Sequence, residues 1–371
     1  MIYCAGKVVA VMVGVSSGKI PFRIRVAAGL LLSAGCSPLA AFNSPQAVPA
    51  SGTCEQAEAQ VKEGKRLTES RQLPAAIEKL RSAHALCPER TDAELELARA
   101  YLESRQFAAA EGMAKDVLDR HPRSEAAQFF LAYSYFMQER FQEAGETLKQ
   151  LLAKNSQNAD AHKLMGLTLF FYKEEGMAER ELRTALRLRP QDIEALYYLG
   201  RVYYTQNNFP PAVDALRRTL ELEPNHYKAY DSLGLCYEAM GRSDEAFRAF
   251  KKSQEIARKA DPAYDWPYSD LAEMLIKENR VNEALPYAQE ALRINPRSAR
   301  DNYVVGKAIS RGDHPEAALE YLRQAAELDP KYPEPHYLLG QLYAKRGQRA
   351  GAEREFALFQ QLRRQTPQTR R

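Results

Sequence analysis

The side chains most able to do chemistry in this chain of 371 residues are its five cysteines. They stand at Cys4, Cys36, Cys54, Cys87 and Cys236. No two of them form a Cys-x-x-Cys pair, so their spacing does not indicate a redox or zinc motif of that kind. Acylation of a thiol and oxidation of two thiols to a disulfide remain, and the surrounding sequence distinguishes between them.

The histidines form no catalytic or metal-binding pattern. They are scattered, at His84, His121, His162, His226, His314 and His336. None has the His-Glu-x-x-His spacing of a zinc protease. Gly18-Lys19 lacks both the upstream glycine and the following Ser or Thr of a phosphate-binding loop. We therefore expect no enzyme activity, no metal ion and no cofactor.

The composition favours a folded, all-helical protein. The chain is 45% hydrophobic and 27% charged, which argues against a disordered chain. Its 52 basic and 48 acidic residues give a formal net charge of +4. A nucleic-acid-binding protein more often has a concentrated basic face, so no nucleic acid partner is expected.

Residues 1–36 have the pattern of a secretory signal. Lys19, Arg23 and Arg25 precede the uncharged apolar run 26–35, as a basic region precedes the apolar region of a signal peptide. The run is too short to span a bilayer, which takes about 20 residues. The expectation is export, to the periplasm or outer membrane of a bacterium.

The end of this segment, Leu-Ser-Ala-Gly-Cys36, resembles the lipobox of bacterial lipoproteins, in which the cysteine is acylated. Its Ala and Gly match that pattern, and Ser33 departs from the usual aliphatic residue. Ser37 at the following position implies the outer membrane. Ordinary cleavage after Ala50 is the alternative. Residues 37–56 are predicted to form a flexible tether.

A proline recurs every 34 residues along most of the chain. The series consists of Pro88, Pro122, Pro190 and Pro224, with Ser156 in the missing slot, and then Pro262, Pro296 and Pro330. The step from Pro224 to Pro262 is 38 residues, so four extra residues stand there. A period of 20–50 residues is the signature of a repeat protein.

Two positions of each repeat are always small. The eighth is Gly or Ala, namely Gly64, Ala98, Ala132, Gly166, Gly200, Gly234, Ala272, Gly306 and Gly340. The twentieth is always Ala, namely Ala76, Ala110, Ala144, Ala178, Ala212, Ala246, Ala284, Ala318 and Ala352. Small residues in this phase predict two helices, A and B, that cross closely in each repeat.

This pattern resembles the tetratricopeptide-repeat (TPR) family over residues 57–366. The resemblance implies an all-α, right-handed α-solenoid of about nine helix–turn–helix repeats. Their bounds are near 57–90, 91–124, 125–158, 159–192, 193–226, 227–264, 265–298, 299–332 and 333–366, followed by a basic tail at 367–371. We read the extra four residues as a longer helix B in the sixth repeat that divides the array into six repeats and three. Trp266 is expected to fill the resulting gap, with ligand stacking as the alternative.

The repeat register places two cysteines at neighbouring helix ends. Cys54 would precede the first helix A and Cys87 would end the first helix B. Because the two helices run antiparallel, a Cys54–Cys87 disulfide is predicted in an oxidising compartment. Cys236 falls inside a helix A and is predicted to be a buried core thiol.

The resemblance also implies where a partner would bind. In TPR proteins, positions 2, 5, 9, 12 and 13 of helix A line a concave groove. At these positions the chain has Phe129, Tyr133, Phe136, Phe170, Tyr197, Arg201, Tyr204, Arg300 and Lys307. Exposed aromatics with arginine are typical of protein-binding hot spots. The alternative is that neighbouring repeats bury part of these rings.

We therefore predict a non-catalytic scaffold that binds a protein or peptide in this groove, for envelope assembly or docking. The membrane is involved only through the signal or a lipid anchor. The Lys–Asn–Asn–Lys–Arg clamp with which some TPR proteins grip a carboxyl terminus is absent. Two alternatives remain: a TPR component of a polysaccharide or secretion system, and a cytoplasmic adaptor in which residues 1–35 are a mis-called start. Met12 is an alternative start for the signal itself, which would then have more usual proportions.

Overall fold

The computed structural model describes residues 51–312 and 315–365. Over these residues the protein is built from α-helices and one 3-10 turn, without a β-strand. The prediction of an all-α solenoid is confirmed. The signal segment, Cys36, residues 37–50 of the tether and the basic tail lie outside the described residues.

Helices A and B alternate along the chain. Their bounds are α1 Ser51–Glu69, α2 Leu73–Leu86, α3 Thr91–Glu103, α4 Phe107–Arg120, α5 Glu125–Met137, α6 Phe141–Lys154, α7 Ala159–Phe171, α8 Glu175–Leu188, α9 Ile193–Thr205, α10 Phe209–Leu222, α11 Tyr227–Ala239, α12 Ser243–Ala260, α13 Trp266–Lys277, α14 Val281–Ile294, α15 Ala299–Ser310, α16 Ala318–Leu328, α17 Pro333–Lys345 and α18 Arg349–Gln365. The 3-10 turn, Pro315–Ala317, precedes α16. Odd-numbered helices are helix A of a repeat and even-numbered helices are helix B.

Each described turn from helix A to helix B uses one residue with a positive φ. These residues are Arg71, Arg105, Glu139, Lys173, Asn207, Gly241, Asn279 and Gly347, with φ between 57° and 73°. In the first turn the Gln72 N–H donates to the Leu67 carbonyl at 2.9 Å. This bond, from the residue after the left-handed one back into the last turn, is that of a Schellman motif. It reverses the chain in three residues, so helix B packs directly against helix A.

The eighth position is small because a large side chain from helix B faces it. A Cβ on Gly200 would lie 2.7 Å from Leu216 Cγ, and one on Gly234 would lie 2.5 Å from the Phe250 ring. The other glycines at this position face Leu80, Leu182, Leu322 or Phe356 in the same way. Ala98 and Ala272 face alanine at the partner position sixteen residues later, whereas Ala132 stands sixteen residues before Leu148. The eighth position is therefore glycine in six of the seven repeats whose partner residue is Leu or Phe, with Ala132 as the exception.

The chain divides into two compact units, 1–138 and 139–371. Of the described helices, the first unit holds α1–α5, and its core includes Leu80, Leu97 and Tyr101. The second unit holds α6–α18. The four inserted residues lengthen α12, as predicted, to 18 residues where α10 has 14. This helix packs against the next repeat, since Gln254 Nε2 donates to the Pro267 carbonyl at 3.0 Å, and Ala257 in its extra turn is buried.

The structure joins Cys54 and Cys87 in a disulfide. Cys54 lies within α1 rather than before it, because α1 begins at Ser51. The prediction that residues 51–56 belong to a flexible tether is therefore wrong. The reason is packing at this end of the repeat, where Ala57 and Val61 join Cys87 in one buried cluster.

Cys236 is fully buried in α11, and burial raises the pKa of its thiol to about 12. It is an inert core thiol, as the sequence predicts. Among the described helices, none combines the length and the apolar character that crossing a bilayer requires.

Candidate partner-binding surface

In the first unit, three predicted groove residues form a row on α5. Phe129, Tyr133 and Phe136 are spaced so that they share one face of the helix. The rings of Phe129 and Tyr133 are stacked with centroids 6.3 Å apart, and those of Tyr133 and Phe136 lie 6.4 Å apart. All three are partly exposed, so this row is an aromatic surface.

In the second unit, two of the predicted residues are buried. Phe170 is 8% exposed and Tyr197 is 7% exposed, so the prediction that they form an exposed row is wrong. The ring of Tyr197 packs on His226 of the next repeat with centroids 4.8 Å apart. Phe170 packs edge-to-face on Tyr198 at 5.7 Å. Neighbouring repeats bury these rings, as the alternative interpretation proposed.

Arg201 lies over both buried rings. Its guanidinium carbon is 5.1 Å from the Phe170 centroid and 5.9 Å from that of Tyr197. The nearby tyrosines raise the pKa of Arg201 against the opposing effect of burial, so the side chain stays charged. Arg201 itself is partly exposed, and the two rings hold it in place by cation–π contacts.

Lys228 is a second cation held by aromatic rings. Its ammonium nitrogen lies 5.6 Å from the Tyr227 centroid and 6.0 Å from that of Tyr264. Burial and the Arg201 charge lower the pKa of Lys228, while Asp261 opposes them. Arg201 on α9 and Lys228 on α11 belong to the helices A of successive repeats, which contact each other, and the Arg201 charge contributes to the lowered pKa of Lys228.

Two aspartates, the buried Asp231 and the half-buried Asp261, accept hydrogen bonds from the tyrosines near these cations. The Tyr264 hydroxyl donates to Asp231 Oδ2 at 2.7 Å, and the Tyr227 hydroxyl donates to Asp261 Oδ2 at 2.8 Å. Burial, and then the negative charge of Asp270, raise the pKa of Asp231 well above its usual range. The tyrosines therefore occupy acceptor oxygens that a cation could otherwise have used.

A cavity of about 340 Å³ opens beside Tyr204. It is lined by Tyr204, Leu235, Glu238, Ala239, Ser243, Met274, Lys277 and Glu278. Polar and apolar side chains contribute to its wall about equally, and Lys277 Nζ lies 2.6 Å from Glu238 Oε1 as an ion pair. A pocket that combines apolar side chains with polar groups is suited to binding a side chain or small ligand.

Arg300 has carboxylate partners. Its guanidinium pairs with Asp270 and Glu273, with nitrogen–oxygen distances of 2.5 and 3.6 Å. The same group stacks on the Trp266 ring at 4.8 Å. Trp266 is 45% exposed, so the prediction that it fills a buried gap is wrong. The ring packs on Arg300 at the surface.

Lys307, on α15, lies against Tyr303, with its ammonium nitrogen 5.4 Å from the ring centroid. The structure therefore places the predicted residues in three separate groups: the α5 row, the rings around Arg201, and the side chains on α15.

Two aspartates meet between α13 and α15. Asp265 and Asp301 are both buried, and Ser269 Oγ donates to Asp301 while Asn295 Nδ2 donates to Asp265 at 2.8 Å. Burial, and then the charge of Asp265, raise the pKa of Asp301 to about 7. A proton shared by two buried carboxyl groups has this effect. No cluster of three or more potential metal ligands is found in the described part of the chain.

Sequence reasoning missed Lys228, Leu235 and Met274. Lys228 and Leu235 are positions 2 and 9 of the sixth repeat, so the rule that selected Arg201 would also have selected them. Met274 stands outside those positions, and nothing in its local sequence indicates that it lines a cavity.

Comparison with known families agrees with this geometry. Models described as "Tetratricopeptide repeat" match residues 95–161 and 227–297, and one described as "TPR repeat" matches 308–347. The chain is a TPR protein. A further model, "Anaphase-promoting complex, cyclosome, subunit 3", matches residues 173–253 of this TPR protein. TPR repeats are in general a protein-interaction fold rather than a catalytic one.

Two solved structures are similar in fold over about two thirds or more of this TPR protein. A tetratricopeptide repeat protein from Parabacteroides merdae is 18% identical, with a TM-score of 0.55, over 67% of this chain and 97% of that one. The APC/C hetero-tetramer Cut9-Hcn1 is 15% identical, with a TM-score of 0.59, over 72% of this chain and 52% of that one. MamA is 28% identical with a TM-score of 0.41, over 46% of this chain and 94% of that one. No curated protein sequence matches the chain.

Proposed function

We propose that this TPR protein is a non-catalytic scaffold that binds a polypeptide on the helix A face of its second unit. We define this face by Arg201, Tyr204, Lys228, Leu235 and Met274. The observation that carries the proposal is the cavity beside Tyr204, whose walls come from α9, α11 and α13 as well as the start of α12. A cavity shared by consecutive helices A is suited to one side chain of an extended partner.

We further propose that the scaffold acts in the cell envelope of a bacterium, in assembly or docking. Three features support export. They are the basic and apolar pattern of residues 1–36, the lipobox-like sequence at Cys36, and the Cys54–Cys87 disulfide. Structural disulfides persist in oxidising compartments and are rare in the cytosol, which weighs against a cytoplasmic adaptor. Acylation of Cys36 would attach the protein to a membrane.

The binding proposal can be tested with Leu235→Arg, which places a charged side chain in the cavity. The matched control is Leu222→Arg, because Leu222 is exposed at the end of α10, a helix B. Each protein is crosslinked in the native envelope and captured, and the captured proteins are identified by mass spectrometry. We expect Leu235→Arg to lose a partner that Leu222→Arg retains. Equal capture by both variants would refute binding on the helix A face.

A further inference from the structure

Arg201 and Lys228 are half-buried, like Lys163 and Arg300 of the same unit, but differ from those two in having no carboxylate within ion-pair distance. Lys163 pairs with Asp192 and Glu194 at 3.1 and 3.2 Å, and Arg300 is paired with two carboxylates as described above. Across residues 51–312 and 315–365, no oxygen of Asp or Glu lies within 4.0 Å of the charged nitrogens of Arg201 or Lys228. Their contacts are with aromatic rings.

The nearest acidic groups offset the charge of this pair only in part. Asp261 raises the pKa of Lys228, but it lies beyond ion-pair distance and its Oδ2 accepts the Tyr227 hydroxyl. Asp231 accepts the Tyr264 hydroxyl, and its burial favours the uncharged carboxyl. Two partly desolvated, neighbouring cations thus face the surface together. Such a pair is a recognition site for an anion, since charge-assisted bonds to it are about twice as strong as neutral ones.

The cation pair and the cavity lie on the same two helices. Tyr204 is three residues after Arg201 on α9, and Leu235 is seven residues after Lys228 on α11. Residues at these spacings share a helix face. With a rise of about 1.5 Å per residue, the two sites are roughly 5–10 Å apart along the helices. An extended peptide advances about 3.3 Å per residue, so the separation corresponds to about two or three residues.

The segments outside the described structure offer little as an intramolecular ligand. Residues 1–50 contain no Asp or Glu, residues 366–371 contain none, and Asp313 is the one acidic side chain in the remaining gap. An acidic side chain of a separate polypeptide is therefore the occupant that the charges of Arg201 and Lys228 favour.

We infer that Arg201 and Lys228 bind an Asp or Glu side chain of the partner, while the cavity beside Tyr204 holds an apolar side chain two or three residues away. This inference rests on the proposed function and specifies the chemistry of the partner. The aromatic rings under both cations fix their positions before binding, which lowers the entropy cost of ordering them. Recognition weakens as salt is raised, because part of it is electrostatic.

The test is selection of a random peptide library on the full chain. Four proteins are compared: the unmodified chain, R201Q/K228Q, R201K, and the control R293Q/K252Q. The control makes the same change in charge at two exposed positions on α14 and α12. We expect peptides selected by the unmodified chain, R201K and the control to be enriched in an acidic residue two or three positions from an apolar one. R201Q/K228Q should lose the acidic enrichment and keep the apolar one.

A selected peptide with an amidated end then gives affinities by fluorescence anisotropy. Replacing its acidic residue by the amide, or using R201Q/K228Q, should each weaken binding roughly tenfold to a hundredfold. The two changes together should cost little more than either alone. Thermal melting of each variant by circular dichroism establishes that it is folded, and R201K keeps the charge if R201Q/K228Q does not fold.

The outcomes separate the two proposals. Peptides that bind the unmodified chain and are lost with Leu235→Arg, but show no acidic enrichment, would overturn this inference and leave the proposed function standing. Acidic enrichment that persists in R201Q/K228Q would also overturn it. Failure to select any peptide that Leu235→Arg loses would contradict the proposed function itself.

Discussion

Replacing Gly200 by alanine tests why the eighth position of each repeat is small. The added Cβ would lie 2.7 Å from Leu216 Cγ, 3.0 Å from Leu216 Cδ2 and 3.3 Å from the Ala212 carbonyl oxygen. Leu216 is fully buried, so it cannot move aside freely. Overpacking of this kind costs about 1–3 kcal/mol, and the better helix propensity of alanine returns about 1 kcal/mol. We expect a net loss of up to about 2 kcal/mol in the free energy of unfolding.

The matched control is Gly145→Ala, within α6 of the same unit. A Cβ at Gly145 would meet no atom within 4 Å, so only the gain in helix propensity remains. We expect this variant to be more stable than the unmodified chain by about 0.5–1 kcal/mol. Both variants are measured by urea denaturation followed by circular dichroism, with hydrogen exchange of α9 and α10 to locate the effect, because repeat proteins need not unfold in one step.

The double variant G200A/L216A isolates the contact. It copies the Ala–Ala combination that Ala98 and Ala272 have with their own partners. In the L216A background, the alanine at 200 should be neutral or stabilising, which gives a coupling of about 1 kcal/mol or more. The steric explanation is refuted if G200A gains as much stability as G145A, or if the effect of alanine at 200 is the same when Leu216 is alanine.

Two further predictions concern the first and eighth repeats. The double variant C54S/C87S opens a loop with a sequence separation of 33, and its unfolding free energy should fall by roughly 3–4 kcal/mol. Chemical denaturation should show this loss, and equal loss on reduction of the unmodified chain; no change in either would contradict it. For Asp301, whose pKa rises from 3.8 to about 7, the folded state retains a proton that the unfolded state releases, so stability falls as pH rises through this window. Between pH 5 and pH 8, D301N should remove roughly 2–3 kcal/mol of this fall; denaturation midpoints at pH 5 and pH 8 that move alike in both proteins would contradict it.

The helix pairs could be predicted because the pattern that specifies them is local and repeated. The small residues at positions 8 and 20 mark the crossing of helices A and B, and Gly200 against Leu216 shows the reason in one contact. The extra turn of α12 could be predicted because the step from Pro224 to Pro262 is four residues longer than the period of 34 residues. The neighbouring positions of Cys54 and Cys87 could be predicted because the repeat places them at adjacent ends of two antiparallel helices.

The details of the binding surface depend on contacts between repeats, which the repeat register does not specify. Tyr197 occupies a groove position, yet His226 of the next repeat covers its ring. Trp266 lies at the surface, where Arg300 of the next repeat stacks on its ring. The sequence predicts the start of α1 six residues too late because residues 51–56 carry no helical hydrophobic pattern. They are helical because this end of α1 packs on Cys87 through Cys54, Ala57 and Val61.

The most direct test of the central claim is a photo-crosslinking amino acid placed at position 235, in the cavity wall, and separately at position 222 on α10. Each protein is irradiated in the native envelope, and crosslinked products are resolved by electrophoresis and mass spectrometry. The account predicts a polypeptide crosslinked at position 235 and absent at position 222. A partner captured from position 222 alone would contradict binding on the helix A face.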